Sequence, residues 1–463
     1  MQMTLRDRPG LQLLFILALA ALLRLWGLGA RQLWSDEILQ VLHSRPDTVR
    51  GILDAVTIDR GGAPLDYLVQ HVFITNLSGA IEWTARLHAA LFGILAVLLV
   101  YLVCRELSGD QKLSLMSALL FCFYPFHHHY SQEGRPYSLF VLLTLVLYFH
   151  LFRLMKRNRW LLWGSFAVSA VLAFYTHAYT AMVFFGQACF LIFYQLHQRE
   201  SWTKAWRRYA CFIFCGALAA ASFVPWLLHS FFNAKGEIAP EIGGRLFFET
   251  IKRLGDGSYP LSAVLIICAS FGIHSLYRQR RTLELGALLT WIIAPIPVIL
   301  AVLLWRTYFF TPRQLLFITP AFFILVAAGV QYLKQKVAHR YFHPEAVLIL
   351  ISIVVIALHY PDKRDDLRAA GQFLKETVRP ADMIVAPALT DLLSLYFPEI
   401  RRYSADHRSA QDLLQTAGKE SRVLYVTLRY RPDPEGLNRL LTGMQKSGEV
   451  HFRGVTVYLL RGI

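Results

Sequence analysis

Long hydrophobic runs separated by short polar segments fill most of the chain and indicate its architecture. A helix that crosses a bilayer needs about 20 mostly apolar residues, because the hydrocarbon layer is about 30 Å thick and a helix rises about 1.5 Å per residue. By this measure the pattern predicts eleven membrane-spanning helices, near residues 11–30, 84–104, 113–127, 136–154, 160–177, 179–197, 208–231, 259–277, 285–304, 313–333 and 344–360. The first run is too long for a signal-peptide core and lacks a small-residue cleavage site, so we interpret it as an anchor.

The pattern changes near residue 361, beyond which acidic and basic residues mix and no membrane-length run occurs. Apolar spacing there predicts three strands, at 383–386, 423–426 and 456–460. It also predicts two amphipathic helices, at 366–377 and 410–417. We therefore expect a mainly α fold: a polytopic membrane helix bundle over residues 1–360 and a small α/β domain over residues 361–463. All six cysteines lie within or beside apolar runs, so we expect no disulfide framework in the second domain.

Charge orients the predicted helices. The chain is 55% hydrophobic and carries a formal net charge of +16, with lysine and arginine concentrated in alternate loops. This alternation is the positive-inside pattern of a membrane protein whose N-terminus is cytoplasmic, so the excess charge does not indicate nucleic-acid binding. After an odd number of spans, the α/β domain is expected on the outer face. The basic loops contain Arg105, Lys112, Arg153, Lys156, Arg157, Arg159, Arg199, Lys204, Arg207, Arg208, Arg278, Arg280, Arg281, Lys334, Lys336 and Arg340.

Two adjacent carboxylates, Asp36 and Glu37, follow the first apolar run in a long predicted outer loop, residues 31–83. Paired acids at a bilayer edge are candidates for binding or reaction. The alternative is that they cap a helix that starts at Ser35, since acids are favourable near helix N-termini. The same loop contains Asp66, and its stretches 37–42 and 65–73 predict short helices along the membrane surface.

A second polar cluster, residues 127–137, lies in the next predicted outer turn and contains three consecutive histidines, Glu133, Arg135 and Tyr137. Glu133 and Arg135 could form an interfacial ion pair. The histidines could bind a metal or lie satisfied at the interface, and adjacent residues of a helix point in different directions, so at most two could share a site.

Two arginines, Arg306 and Arg313, flank aromatic residues in the last predicted outer turn. Their side chains could anchor the chain at the headgroups, or form bidentate hydrogen bonds to a lipid phosphate. A further arginine, Arg24, lies inside the first apolar run, about 9 Å from its outer end at helical rise. Its charge must extend to the headgroups or find a partner, and Asp36 or Glu37 is within reach as that partner.

Three of these stretches resemble one family, the GT-C glycosyltransferases of the protein O-mannosyltransferase-like and aminoarabinose-transferase-like branch (glycosyltransferase family 39-like, bacterial type). Leu33-Trp34-Ser35-Asp36-Glu37 is similar to its acidic motif in the first outer loop. Residues 130–139 resemble its second outer-turn motif, and residues 311–316 resemble its arginine entry to a late helix. Asp365-Asp366 followed by an α/β tail is similar to bacterial members.

The resemblance implies transfer of a sugar from a polyprenyl phosphate to an acceptor on the outer face of the bacterial cytoplasmic membrane, with inversion. The acceptor would be a lipid, a glycan or a protein. Asp36 would act as the base or orient the acceptor, and Glu37 would position it or hold a cation. The donor phosphate would bind Arg135, Arg313 and Arg306. Supporting roles would fall to Glu133, Tyr137, Asp66 and Arg24, and a divalent metal, if one is used, to Glu37 and His129.

Two other functions fit parts of the pattern. A transporter or flippase for a lipid-linked sugar would explain the spans and the basic loops. Transporters, however, tend to place polar groups near mid-membrane at repeat interfaces, and here the mid-span segments are almost free of ionisable groups. A non-catalytic scaffold would leave the clustered outer polar residues unexplained. The sequence therefore favours the transferase.

Overall fold

The computed structural model describes residues 8–57, 62–199, 201–233, 245–305, 310–337, 343–359, 364–387, 389–405, 422–428 and 433–462. Arg306 and the helix predicted at 410–417 lie outside these ranges. The chain divides into two compact units. The first comprises residues 1–28 and 43–360, and the second comprises residues 29–42 and 361–463. The segment 29–42, which we expected to belong to the membrane domain, therefore groups with the C-terminal residues.

Helices make up the described part of the first unit, apart from short connections. In chain order they are α1 (Pro9–Leu25), α2 (Ser35–Ser44, which begins in the second unit), α3 (Val49–Val56), α4 (Pro64–Asn76), α5 (Ile81–Ser108), α6 (Gln111–Cys122), α7 (Pro125–Ser131), α8 (Tyr137–Lys156), α9 (Trp160–Phe174), α10 (Thr180–Gln198), α11 (Trp202–Asn233), α12 (Arg245–Leu254), α13 (Tyr259–Arg278), α14 (Thr282–Ile293), α15 (Pro295–Trp305), a 3-10 helix (Pro312–Ile318), α16 (Thr319–Lys336) and α17 (Pro344–His359).

The apolar helices agree with the sequence pattern. Among the described residues, seven helical segments are long and apolar enough to cross a membrane, and four shorter helices are also apolar. Each overlaps one of the eleven predicted runs. The prediction of a multi-pass membrane protein is confirmed, and the short helices expected in the first long loop are present as α2 and α4, with α3 in addition.

Helix ends differ from the prediction where local chemistry stops the helix. The third predicted run, 113–127, is interrupted because α6 ends at Cys122 and Pro125 starts the new helix α7 at its first turn. The first run ends at Leu25 rather than at residue 30, and Gly27 adopts a left-handed conformation (φ 63°) just beyond it. Both breaks bring polar residues to helix ends.

The helices α13 and α16 of the first unit approach each other closely. A Cβ on Gly329 would lie 1.8 Å from the carbonyl oxygen of Cys268, and one on Gly272 would lie 1.9 Å from that of Leu325. Small residues allow helix backbones in membranes to approach closely, so van der Waals contact can replace the hydrophobic effect. This pair supports the turn that carries Arg313, since α16 continues directly from the 3-10 helix.

The second unit contains a four-stranded sheet in the order β1-β2-β4-β3, with β1 parallel to β2 and the other pairs antiparallel. Its apolar core includes Val385, Val423 and Leu460. The three predicted strands are confirmed, whereas β3, an exposed edge strand, was not predicted. The elements are α18 (Leu367–Thr377), β1 (Met383–Val385), α19 (Thr390–Ser394), α20 (Ile400–Tyr403), β2 (Arg422–Leu428), α21 (Pro434–Leu441), β3 (Met444–Phe452) and β4 (Val455–Gly462).

Candidate functional site

The acidic pair occupies the first turn of α2, where the helix dipole favours negative charge. The two acids differ in environment. Glu37 is fully buried, and its Oε2 accepts hydrogen bonds from the Trp34 backbone N–H (3.3 Å) and from Nη1 of Arg364 (2.9 Å). Asp36 is half-buried. The structure therefore encloses Glu37, whereas Asp36 keeps access to solvent.

Arg364 belongs to the same unit as this motif and was missed by the sequence analysis. Its Nη1 also donates to the carbonyl oxygen of Gln32 (3.2 Å), and the Gln32 side chain donates back to the Arg364 carbonyl (3.5 Å). Nε of Arg453 donates to that same carbonyl oxygen (2.6 Å). The only signal in the sequence was the charged run 362–366, which contains this residue, and it gave no partner.

Arg24 is fully buried in the first unit and differs from the prediction in its partners. Nη1 donates to the carbonyl oxygens of Ala20 (3.5 Å) and Cys122 (3.2 Å), and Nη2 lies 3.1 Å from Nδ1 of His127. A desolvated guanidinium needs several acceptors, and these three contact its two terminal nitrogens. The expectation that Arg24 pairs with Asp36 or Glu37 is therefore wrong, and its role is to join α1, α6 and α7.

Polar residues at the end of α7 and just beyond it cap the end of α1. Nε2 of His128 lies 2.9 Å from the carbonyl oxygen of Leu23, and the Gln132 side chain donates to the carbonyl oxygens of Arg24 (3.1 Å) and Trp26 (2.9 Å). The last carbonyls of a helix have no partner within the helix, so these contacts satisfy them. His127 and His128 are thus structural residues.

The third histidine, His129, lies between two buried carboxylates. Its Nε2 is 3.1 Å from Oε1 of Glu133, and its Nδ1 is 3.8 Å from Oδ2 of Asp256. Each ring nitrogen faces an acid, as in the alternative in which the histidines lie satisfied rather than bind a metal. Across the described residues, no group of three or more His, Cys, Asp or Glu side chains is arranged to hold a metal ion. Asp256 was missed by the sequence analysis, and its backbone is left-handed (φ 50°).

Two of the predicted phosphate-binding arginines, Arg135 and Arg313, come together around His177. Burial and the positive charges of these arginines lower the pKa of His177 to about 4. The guanidinium carbon of Arg313 lies 5.5 Å from the ring centroid of Tyr137, and its Nε donates to the Thr311 hydroxyl (3.2 Å). Both arginines are half-buried. The two guanidinium groups therefore both act on the charge of His177.

His177, in the turn between α9 and α10, was also missed by the sequence analysis. Its Nδ1 accepts the backbone N–H of Tyr179 (3.1 Å), so the proton of the neutral ring is on Nε2. Within the part of the chain that the structure describes, Nε2 has no hydrogen-bond partner, and the ring is partly exposed. This side chain therefore offers a neutral N–H donor beside two guanidinium groups.

Neighbouring contacts fix the turns that carry His177 and Arg313. The Tyr179 hydroxyl donates to Oε1 of Gln314 (3.0 Å), which joins the His177 turn to the Arg313 turn. The backbone N–H of Leu65 donates to the carbonyl oxygen of Tyr175 (2.9 Å), which joins the start of α4 to the same region.

Asp66, a predicted supporting residue one position after Leu65, is almost fully buried. Its Oδ2 lies 3.5 Å from Nε2 of His88, which is itself fully buried on α5. Asp66 therefore joins α4 to α5 through a buried carboxylate–imidazole contact.

Comparison with known proteins agrees with this architecture. A family model described as dolichyl-phosphate-mannose-protein mannosyltransferase matches residues 63–229, which include the α7 cluster, Arg135 and His177. No curated protein matches the chain in sequence.

Solved structures show the likeness over almost the whole chain. The crystal structure of ArnT from Cupriavidus metallidurans in the apo state has 13% identity and a TM-score of 0.63, covering 96% of this chain and 97% of that one. The same protein bound to undecaprenyl phosphate has a TM-score of 0.62 at the same identity and coverage. The archaeal oligosaccharyltransferase AglB from Archaeoglobus fulgidus, in complex with an inhibitory peptide and a dolichol-phosphate, has 11% identity and a TM-score of 0.51, covering 91% and 69%. The predicted GT-C fold is confirmed.

Proposed function

We propose that the chain is an integral-membrane, inverting glycosyltransferase that moves a sugar from a polyprenyl-phosphate donor to a lipid, glycan or protein acceptor. The GT-C fold and the mannosyltransferase family model support this reaction class. The relatives bound to undecaprenyl phosphate and dolichol-phosphate support the donor class. We favour a transferase over a transporter or a scaffold because both the similar solved structures and the matching family model are those of transferases.

The observation that carries the proposal is the grouping of Arg135, Arg313 and His177. In the transfer, the bond between the anomeric carbon and the phosphate oxygen breaks, and the phosphate leaves with the bonding electron pair. Two guanidinium groups stabilise the growing negative charge, and the Nε2–H of His177 adds a neutral donor. Donors that are already oriented in a partly buried pocket stabilise such charge better than water does.

Asp36 is the proposed general base. It takes the proton of the acceptor hydroxyl as the acceptor oxygen bonds to the anomeric carbon on the face opposite the phosphate, which inverts the configuration. A positioned base of this kind typically contributes about 10²–10⁴-fold to the rate. Glu37 is unsuited to the same task because the Arg364 guanidinium already holds its carboxylate. We assign Glu37 to positioning and Asp36 to proton transfer.

The proposed location is the bacterial cytoplasmic membrane, with the site and residues 361–463 on the outer face. The basic residues of alternate loops support this orientation through the positive-inside rule. A reporter that is active only outside the cytoplasm, fused after Ile463, is expected to be active. A cytoplasmic reporter active at the same position would overturn the orientation.

The central experiment measures binding of undecaprenyl phosphate by the purified full chain. The variant R135A/R313A should lose most binding, because both cationic groups of the pocket are removed. R401A is the matched control, since Arg401 is 70% exposed and pairs with Asp391 at the surface. Binding by the double variant equal to that of the control would overturn the pocket. Membranes with the wild-type chain should also release polyprenyl phosphate from a labelled sugar donor.

A further inference from the structure

The segment that follows the last apolar helix returns to the acidic motif near the start of the chain. Arg364 lies three residues before α18, and its guanidinium meets Glu37 in the first turn of α2. The Glu37 side chain is 0% exposed and that of Arg364 is 14% exposed. A charge pair this well enclosed is little screened by water or salt.

Removing one member of such a pair is disruptive. A carboxylate left buried without its cation is strongly unfavourable, so it takes up a proton or moves toward water. Glu37 also accepts the Trp34 N–H, two residues before Asp36. Either response therefore disturbs the first turn of α2, which contains Asp36.

The pair also sets the direction of Asp36. Successive residues of a helix point about 100° apart, since the helix has about 3.6 residues per turn. When Glu37 is fixed toward Arg364, the rotation of the helix about its axis is fixed, and the side chain of Asp36 is held in its half-buried direction. A contact made by one acid thus orients the other.

Arg364 is itself held by the β3–β4 turn. Arg453 donates to the Arg364 carbonyl oxygen, and the Asp366 N–H donates back to the Arg453 carbonyl oxygen (2.7 Å). Gly454 is left-handed (φ 74°), and a Cβ there would lie 1.8 Å from Oδ1 of Asp365, so the chain segments are in close contact. Asp366 also caps α18 through the N–H of Ala369 (3.0 Å). The α/β domain thus provides a rigid support for Arg364.

We propose that Arg364 is a positioning residue for the transfer reaction, through which the C-terminal α/β domain holds the Asp36–Glu37 motif in its reactive orientation. This inference rests on the proposed role of Asp36. It gives the domain a task in the proton-transfer step, beyond the choice of acceptor.

The test compares R364Q with wild type and with R401A, a control on the same domain. R364Q should lower kcat by about 10²-fold, since a displacement of about 1 Å in a catalytic group has effects of that size. KM for the donor should stay within about twofold, because the substitution leaves Arg135, Arg313 and His177 unchanged. A kcat equal to that of R401A would overturn the proposal.

Hydrogen exchange gives a readout that does not depend on transfer. R364Q should raise the exchange of backbone amides in residues 32–42, whereas D36N should leave it at the wild-type level. Unchanged exchange in R364Q would overturn the positioning role even if the wild type showed no transfer. Raised exchange in R364Q together with full transfer activity in D36N would rule out Asp36 as the base but support the positioning contact of Arg364.

R364K serves if R364Q fails to fold. Lysine keeps the charge but loses the fork that reaches both Glu37 and Gln32. In R364K we therefore expect kcat below that of wild type and R401A, and amide exchange in residues 32–42 above theirs, with both changes smaller than those expected for R364Q. Wild-type values of both kcat and amide exchange in R364K would then overturn the inference.

Discussion

The imidazole of His177 stacks on the ring of Phe140, with ring centroids 4.8 Å apart and planes inclined by 19°. This stack and the Tyr179 N–H hold the ring in one orientation beside Arg135 and Arg313. A neutral donor that cannot rotate away selects for an acceptor at a fixed position. The geometry is therefore more specific than charge attraction alone would be.

Substitutions of His177 should separate hydrogen bonding from packing. H177N keeps an N–H donor and should raise the donor KM about threefold or less, whereas H177F keeps an aromatic ring without a donor and should raise it about tenfold, as expected for one lost hydrogen bond to a charged group. Steady-state transfer with varied donor concentration measures both values. Equal KM in H177F and wild type would show that Nε2 does not reach the phosphate.

Acid should destabilise the protein partly through the same residue. The ordinary pKa of histidine is about 6.5, and burial with Arg135 and Arg313 lowers that of His177 to about 4. As pH falls from about 6.5 to about 4, the unfolded chain takes up a proton that the folded chain excludes, so stability is lost through this window. The Tm of H177N minus that of wild type should therefore increase as pH is lowered from about 6.5 to about 4.

The groups around His177 predict how this pH effect changes. Its charged neighbours are Arg135 and Arg313, and its ring neighbours include Tyr137 and Tyr179. R313Q should reduce the stability lost on acidification and end that loss at a higher pH, because removing one repelling charge raises the pKa of His177 in the folded chain toward its ordinary value. An unchanged profile in R313Q, measured by Tm against pH, would contradict the electrostatic account.

Lysine at the arginine positions should restore only part of the function. R135K and R313K keep the charge but lose the planar fork, and R313K also loses stacking over Tyr137. We expect undecaprenyl phosphate binding about tenfold weaker in each, with R401A at the wild-type level. Full affinity in both lysine variants would indicate that point charge alone suffices.

D36N should abolish most transfer without unfolding the protein. An amide keeps the size of the carboxylate but cannot accept a proton at neutral pH. We expect kcat to fall by at least about 10²-fold with undecaprenyl phosphate binding unchanged. Transfer at the wild-type rate would remove Asp36 as the base.

Stability of the bundle should depend on the α13–α16 contact. G329V places side-chain atoms against the Cys268 carbonyl and should lower Tm by several degrees, because the two backbones must separate. G164A is the control, since a Cβ on Gly164 meets no atom within 4 Å. A Tm equal to that of the control would show that α13 and α16 can separate without loss of stability.

The membrane-spanning helices could be predicted because their length and apolarity are set by the bilayer rather than by tertiary contacts. Elements that rely on tertiary contacts were missed. The edge strand β3 has few apolar residues and is exposed over most of its length, so no alternation signals it. Helix α3 is only eight residues long, and its N-cap Thr48 is a weak signal by itself.

The site was predicted in part for a similar reason. Asp36, Arg135 and Arg313 stand out because charge beside an apolar run needs an explanation. His177 and Arg364 do not stand out, since their roles depend on partners distant in sequence. The partner of Arg24 was predicted wrongly because carbonyl oxygens of α1 and α6, which every sequence contains, satisfy it instead of a carboxylate.

The pair of Glu37 and Arg364 joins residues 327 positions apart, which has a consequence for biogenesis. During translation the acidic motif leaves the ribosome early and stays without its guanidinium partner until every apolar helix has been inserted. A truncated chain that ends before residue 364 is therefore expected to insert into the membrane but to lack transfer activity. Activity would then report that synthesis has run nearly to its end, so incomplete chains would not consume the lipid-linked sugar pool.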